Sequence, residues 1–202
     1  MPDIPPRIEK ISQLRFAAID FESAGAERGS TDVPVQIGIA RMDALTIVSE
    51  DLFTSYLSSD RPITWTAQKV HGIRTEDLAG APALIDLWPK IKERLEGRWI
   101  VAHGAATEKR FLRAFPFHGF RPWIDTLKLA RTLAPHLPSH ALGDIAASLG
   151  LEETLRKNHP NFRWHDALSD AIASLEILKH LIEAANLGDH SPEVLLDIAG
   201  QR

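Results

Sequence analysis

The chain has 202 residues, 44% of them hydrophobic and 25% charged, which suits one globular domain with a sizeable core. It has no cysteine, so disulfides, thiolate zinc sites and a cysteine nucleophile are excluded. Lys and Arg number 23 against 27 Asp and Glu, a net charge of −4, so nucleic-acid binding would have to come from a local basic patch. The opening MPDIPPRIEK lacks the apolar stretch of a signal peptide, and no apolar run is long enough to span a bilayer. No membrane partner and a cytoplasmic location are therefore expected.

In chain order, residues 1–13 carry three prolines and read as an N-terminal arm. LRFAAIDFE (14–22), VQIGIARMD (35–43) and TIVSEDLFTSYL (46–57) read as three strands, joined by links short enough for an antiparallel meander. ALIDLWPKIKERLEG (83–97) has helical spacing, with Gly97 as a stop and Pro89 calling for a kink or a late start. RWIVAHG (98–104) is a short apolar strand, EKRFLRAF (108–115) is helical, WID (123–125) ends a strand, and TLKLARTLA (126–134) is helical up to Pro135. ALGDIAASLGL (141–151) and DALSDAIASLEILKHLIEAA (166–185) are further helices, and 187–202 form a tail or short terminal helix. Strands first, then alternating helix and strand, predict an α/β domain with a mixed sheet over 14–186.

Several acidic residues sit where a core-building chain would not place them. Residues i and i+2 of a strand share a face, so Asp20 and Glu22 project together while Ala17, Ile19 and Phe21 face the other way. Two carboxylates about 4 Å apart repel by roughly 4 kcal/mol at an effective dielectric near 20, so such a pair either surfaces into a polar turn or attracts a cation. Glu108 shares a helical stripe with Phe111, Leu112 and Phe115 and so points inward, unless it is simply an exposed first-turn acid favoured by the helix dipole. On the last long helix, Asp170 falls beside Ile177 and Leu181 and away from the polar face of Ser169, Glu176, His180 and Glu183. His165 lies five residues earlier, about 140° round a helix, so the two can share a site only if His165 precedes the helix in a loop.

Brought together, these acids would make one oxygen-rich pocket suited to Mg²⁺ or Mn²⁺ and not to zinc. HLPSH (136–140) holds a close histidine pair, but Pro138 between them spoils a helical metal site. RKNHPNFRWH (156–165) is the densest basic stretch and carries Phe162 and Trp164. Either those rings stack on bases, at about 1–3 kcal/mol each, or Trp164 is tucked into the core.

In order and multiplicity, FAAIDFESAG (16–25), VQIGIA, KVHGI (69–73), IVAHGAATEKRFL, IDTLKLAR and HDALSDA resemble the DEDDh 3′→5′ exonucleases. That family includes the proofreading epsilon subunit of bacterial DNA polymerase III, ribonuclease T and oligoribonuclease. The resemblance implies a ribonuclease H-like fold, a five-stranded mixed sheet flanked by helices. It implies Asp20, Glu22, Glu108 and Asp170 as ligands of two Mg²⁺ or Mn²⁺ ions, and His165 as general base. Ser23, Ala24, Gly25, His71 and Trp164 are the expected substrate contacts. The implied substrate is the 3′ end of single-stranded DNA or RNA, the product a nucleoside 5′-monophosphate, and the further partner a polymerase or a second copy of the chain. The second motif departs from the family pattern of histidine–asparagine–alanine, an aromatic residue and aspartate: this chain has Gly104 for the asparagine, Thr107 for the aromatic residue and Glu108 for the aspartate. The alternative reading is therefore a nucleic-acid-binding module of the same fold with weakened catalysis.

Overall fold

The computed structural model describes residues 9–26 and 32–200, so the start of the arm and the last two residues of the tail lie outside the described residues. Its centre is β1 (Arg15–Ser23), paired antiparallel with β2 (Pro34–Asp43) on one side. On the other side it pairs parallel with β5 (Trp99–Ala102), which in turn pairs parallel with β6 (Trp123–Asp125). The strand predicted over 46–57 is two strands, β3 (Thr46–Ile47) and β4 (Phe53–Tyr56), both on the outer edge of β2. A 3-10 turn at Ser49–Asp51 separates them. There the Asp51 carboxylate turns in to bridge Arg41 and Arg94, which lifts the chain off the ladder. The mixed sheet thus has five strand positions and six strands.

Alternation along β1 sorts the two cores. Phe16 and Ala18 join Ala40, Met42, Val101 and Ile124 under α4 (Thr126–Leu133), α5 (Leu142–Ser148) and α7 (Ala167–Ala184). Ala17, Ile19 and Phe21 join Ile37, Ile39 and Ile100 under α2 (Trp88–Leu95) and α3 (Ala106–Phe111). By the same alternation, Asp20 and Glu22 lean toward the α7 side. Pro89 does impose a late start: a 3-10 turn at Leu84–Leu87 precedes α2, and the proline takes the first turn, where its missing N–H costs nothing. Two helices lie where none was predicted, α1 (Trp65–His71) and α6 (Glu152–Asn158). Both are too short to show two turns of apolar periodicity, although α1 has a Thr64 N-cap and Gly72 in the left-handed conformation after it. Segments near both ends of the described residues pack on the same core: Ile11 and Leu195 of α8 (Glu193–Ile198) are fully buried. The amides of Ile11 and Ser12 donate to the carbonyls of His190 and Gly188 at 3.0 and 2.9 Å.

One contact decides where α7 begins. Gly38 of β2 sits opposite Asp20, and a Cβ placed there would lie 2.2 Å from the backbone of Ala167 and Leu168. Only a residue without a side chain lets the helix start lie directly on the sheet. Gly38→Ala is expected to displace that helix start and to cost about 1–3 kcal/mol or more, read as a lower urea midpoint with an unchanged slope.

Candidate active site

Three elements deliver the predicted acids to one place. Glu22 on β1, Asp170 in the first turn of α7 and His165 in the loop before it bring one donor atom each within 4.8 Å of one another. Asp20, two residues back on β1, is in electrostatic contact with Asp170, Glu108 and Glu22. Glu108, in the first turn of α3, is 4% exposed, so the inward reading of its stripe holds. His165 does precede the helix: it adopts a left-handed backbone (φ 59°), and Asp166 follows as the N-cap of α7. That turn separates the exposed imidazole from the buried Asp170 carboxylate while keeping both at the site.

The carboxylates are held against their electrostatic preference. Burial, then the charges of Asp170, Glu108, Glu22 and Asp166, push Asp20 well above the usual carboxylate range. Burial also pushes Glu22 up to about 8, with Asp170 and Asp166 adding and Arg163 opposing. Glu108 and Asp170 are pushed up to about 7, burial again being the main cause; the backbone amide of His165 offsets part of the effect on Asp170. Glu108 Oε2 and Asp170 Oδ1 are buried with no hydrogen-bond partner among the described residues. A buried, unpartnered carboxylate oxygen is costly. Hard oxygen donors from Asp20, Glu22, Glu108 and Asp170, two of them with orphaned atoms, fit a divalent cation of the Mg²⁺ or Mn²⁺ kind.

The residues that hold these groups in place were not singled out from the sequence. Gln36 of β2, 4% exposed, donates from Nε2 to Asp166 Oδ2 at 2.9 Å and accepts the Ala167 N–H at 3.1 Å. With Gly38 it seats the start of α7 on the sheet. Its polarity inside the apolar run VQIGIA was the available signal. Asp125, at the end of β6, caps α4 through the amides of Leu127 and Lys128 and also accepts the amides of Gly104 and Ala105 at 3.0 and 3.2 Å. It thereby pins the turn from which α3 and Glu108 start. Gly104 has φ 79°, a conformation open to glycine and tolerated by asparagine, so replacing the family asparagine leaves the backbone path intact.

The expected substrate contacts divide. Ser23, Ala24 and Gly25 continue β1 beyond Glu22 as a bulged backbone wall: Ala24 bonds Val33 and Thr64, and the Gly25 amide donates to Asp32 at 3.0 Å. His71 is buried and both ring nitrogens are engaged within the protein, Nδ1 accepting from the Ile73 amide and Nε2 facing the Ser23 carbonyl at 3.1 Å. It bolts α1 to the end of β1 and has no nitrogen left for a ligand. Trp164 takes the core side of its two readings. Its ring lies on Gly143 and edge-on to Phe162, and its N–H donates to Glu152 at 3.3 Å. In the HLPSH segment, His140 turns its ring back to the Ala134 carbonyl at 3.1 Å.

These shifts set a stability profile. A carboxyl whose folded pKa lies above its unfolded value keeps protons in the folded state that the unfolded state has lost, so stability falls as pH rises between the two values. For Glu22 the window runs from 4.5 to about 8, and for Glu108 from 4.5 to about 7. In chelator, Tm is expected to fall between pH 5.5 and 8. Adding Mn²⁺ or Mg²⁺ at about 100 times Kd should restore about 2.7 kcal/mol at pH 8, some 5–10 °C for a chain of this size. Calorimetry at the two pH values, with and without ion, checks this, and a flat profile contradicts it.

Known proteins resemble this chain in sequence and in fold. The RNase_T family profile, described as exonuclease, matches residues 17–178. The PolC-type DNA polymerase III of Thermotoga maritima is 29% identical over 192 residues, covering 90% of this chain and 13% of that protein. A DNA polymerase III subunit epsilon-like protein of Rhodobacter capsulatus is 28% identical over 178 residues, covering 86% of this chain and 24% of that protein. The chain thus spans a quarter or less of these relatives. Exonuclease X in complex with 5′-overhanging duplex DNA superposes with a TM-score of 0.73 at 26% identity, covering 92% of this chain and 99% of that one. The nuclease domain of 3′hExo, a DEDDh family member bound to rAMP, has the same fold with a TM-score of 0.69 at 15% identity, covering 91% and 98%. The chain belongs to the exonuclease family, with a ribonuclease H-like fold.

Proposed function

We propose that this protein is a divalent-metal-dependent 3′→5′ exonuclease that hydrolyses single-stranded DNA or RNA to nucleoside 5′-monophosphates. The observation that carries the reading is the convergence of Asp20, Glu22, Glu108, Asp170 and His165, from β1, α3, α7 and the loop before α7, on one partly buried acidic pocket. The complex of exonuclease X with duplex DNA favours a DNA strand as substrate. Likeness to polymerase III chains favours a polymerase as partner, with self-association as the other option. Among the described residues no helix is long and apolar enough to cross a membrane.

Asp20, Glu22, Glu108 and Asp170 would hold two ions, which supply Lewis-acid polarisation of the phosphate and a more acidic water. His165 is exposed on its loop, with a ring nitrogen within 4.8 Å of donor oxygens of Glu22 and Asp170, which supports a role in accepting the proton of the attacking water. Breaking the bond from phosphorus to the 3′ oxygen leaves the phosphate on the 5′ side of the released nucleotide.

Glu108 keeps a carboxyl group in a place where an unpartnered polar atom is expensive, so this reading gives it a ligand's role despite the departure from aspartate.

Four variants at three positions test the assignment. Asp20→Asn should lower mononucleotide release on the order of 10³-fold or more, because several kcal/mol of metal-derived stabilisation are lost. The same variant should melt higher than the parent in chelator at pH 8, since like charges no longer repel. His165→Ala should lower turnover by about 10²–10⁴-fold with metal affinity by calorimetry nearly unchanged. Glu108→Gln should remove most activity, whereas Glu108→Asp should retain part, with Mn²⁺ favoured because Mg²⁺ demands stricter octahedral geometry. A digest of 3′- and 5′-labelled DNA and RNA strands with Mg²⁺, Mn²⁺ or chelator settles direction and substrate. A parent protein that binds strands but releases no nucleotide with either ion would make the chain a binding module.

A further inference from the structure

From Lys109 to Trp123 the chain reads KRFLRAFPFHGFRPW, four basic residues and no acid in a protein whose net charge is −4. Arg110 is spent on Asp32, 3.5 Å away. Lys109 and Arg121 are exposed and, with the exposed Lys128 of α4, line a cleft of about 570 Å³ at the free edge of β6, together with His118, Phe120 and Trp123. No acid lines this cleft, and none of its three cations makes an ion pair among the described residues. Two other surface clefts differ: one includes Glu183 and Asp189, the other pairs Arg163 with Asp166. The floor is aromatic, with Trp123 9% and Phe120 5% exposed, and Lys109 Nζ stands 5.1 Å from the Trp123 ring centre. One residue before the cleft-lining His118, Phe117 is fully exposed on a left-handed turn (φ 63°) and belongs to none of the hydrophobic clusters among the described residues.

We infer that this cleft binds the sugar-phosphate backbone of the nucleic-acid strand upstream of the 3′ end held in the active site, with Phe117 as a platform for an unstacked base. The inference rests on the exonuclease reading and deepens it. Unpaired cations over an apolar floor, beside an exposed ring, match the chemistry of a single strand: regular negative charge and sequence-tolerant base faces. A covalent connection joins the cleft to the acidic pocket, because α3 presents Glu108 inward and Lys109, the next residue, to the cleft. A helix is only about 10–12 Å across, so a strand leaving the pocket over α3 meets the cleft within a few nucleotides. An acidic peptide would satisfy the cations but leaves Phe117 unexplained.

The test is a salt series. Binding of a fluorescent 20-nucleotide single strand to the parent and to Arg121→Gln/Lys128→Gln is measured in chelator, where no cleavage occurs; Lys109 is kept to leave the surroundings of Glu108 unchanged. Each phosphate contact on a single strand contributes about 0.7 to the slope of log K against log salt, so the double variant should flatten that slope by about 1.4. Affinity at low salt should fall about tenfold. Phe117→Ala should weaken binding further, by about 5- to 100-fold, without changing the slope. In the cleavage assay the double variant should raise KM for the 20-mer and not for a dinucleotide, whose single phosphodiester is consumed in the active site. Hydrogen exchange on the parent, which needs no variant, should show protection over 117–123 when the strand is added. An unchanged slope, no protection there, or equal losses on dinucleotide and 20-mer overturns the inference. If the parent binds the strand but does not cleave it, the salt series still decides; if it neither binds nor cleaves, the exonuclease reading itself falls.

Discussion

Four carboxylates, two of them buried and two half-buried, are gathered near the end of the central strand, and the fold must supply the force that holds them there. The main contribution is packing. Phe16 and Ala18 on β1, Met42 on β2 and the apolar face of α7 share one core, and that core places Asp170 beside Asp20 whatever their charges prefer. Hydrophobic burial of the long helix amounts to many side chains at about 1.5–3 kcal/mol each. Repulsion among a few acids is smaller and is further reduced by proton uptake, as the raised values of Glu22, Glu108 and Asp170 record. The site is therefore stable enough to exist without a cation and strained enough to favour one.

Position along the sheet is set by close contacts more than by the acids. Gly38 lets the α7 backbone touch β2, and the Gln36 amide ties down both the N-cap Asp166 and the first helical N–H. Asp125 does the corresponding work on the other side, holding the amides of Gly104 and Ala105 from which α3 departs. Each anchor is a buried polar group satisfied by backbone of a second element, which is costly to rearrange and so fixes distances between elements. A glutamate at 108 can serve in such a frame because the frame, not the ligand, determines where the helix begins.

Much of this was legible in the sequence because it follows from periodicity. Period two put Asp20 and Glu22 on one face, and period 3.6 put Glu108 on a buried stripe and Asp170 off the polar face; the structure buries Glu108 and Asp170. The loop position of His165 followed from its angle to Asp170. What periodicity cannot reveal is contact between segments distant in sequence. Gly38 against Ala167 and Gln36 against Asp166 each span some 130 residues and leave no local pattern. Trp164 shows the same limit from the other side: its basic neighbours advertised a binding lip, but Gly143 and Glu152 give the ring a place inside. His71 likewise looked available until Ile73 and Ser23 occupied both nitrogens. The break between β3 and β4 depended on Arg41 and Arg94 converging on Asp51, again a tertiary cause.

The distribution of positive charge follows from the same constraint. A lysine or arginine inside the acidic pocket would pair with the carboxylates, lower their pKa values and compete with the cation for them. Arg163 lies nearby, but it faces Asp166 at 3.4 Å, and its pull on Glu22 is outweighed by burial. A polyanionic substrate nevertheless needs positive charge, and the protein as a whole repels it at a net −4. The two demands are compatible only if the cations that attract the strand stand apart from the acids that gather metal, separated by a layer of protein. Burial of Glu108 outweighs Arg110 and Lys109, which lower its pKa, so cations turned to the outer side of the helix leave the pocket acidic. Helix α3, acidic toward the pocket at Glu108 and basic toward the edge of β6 at Lys109, is that layer.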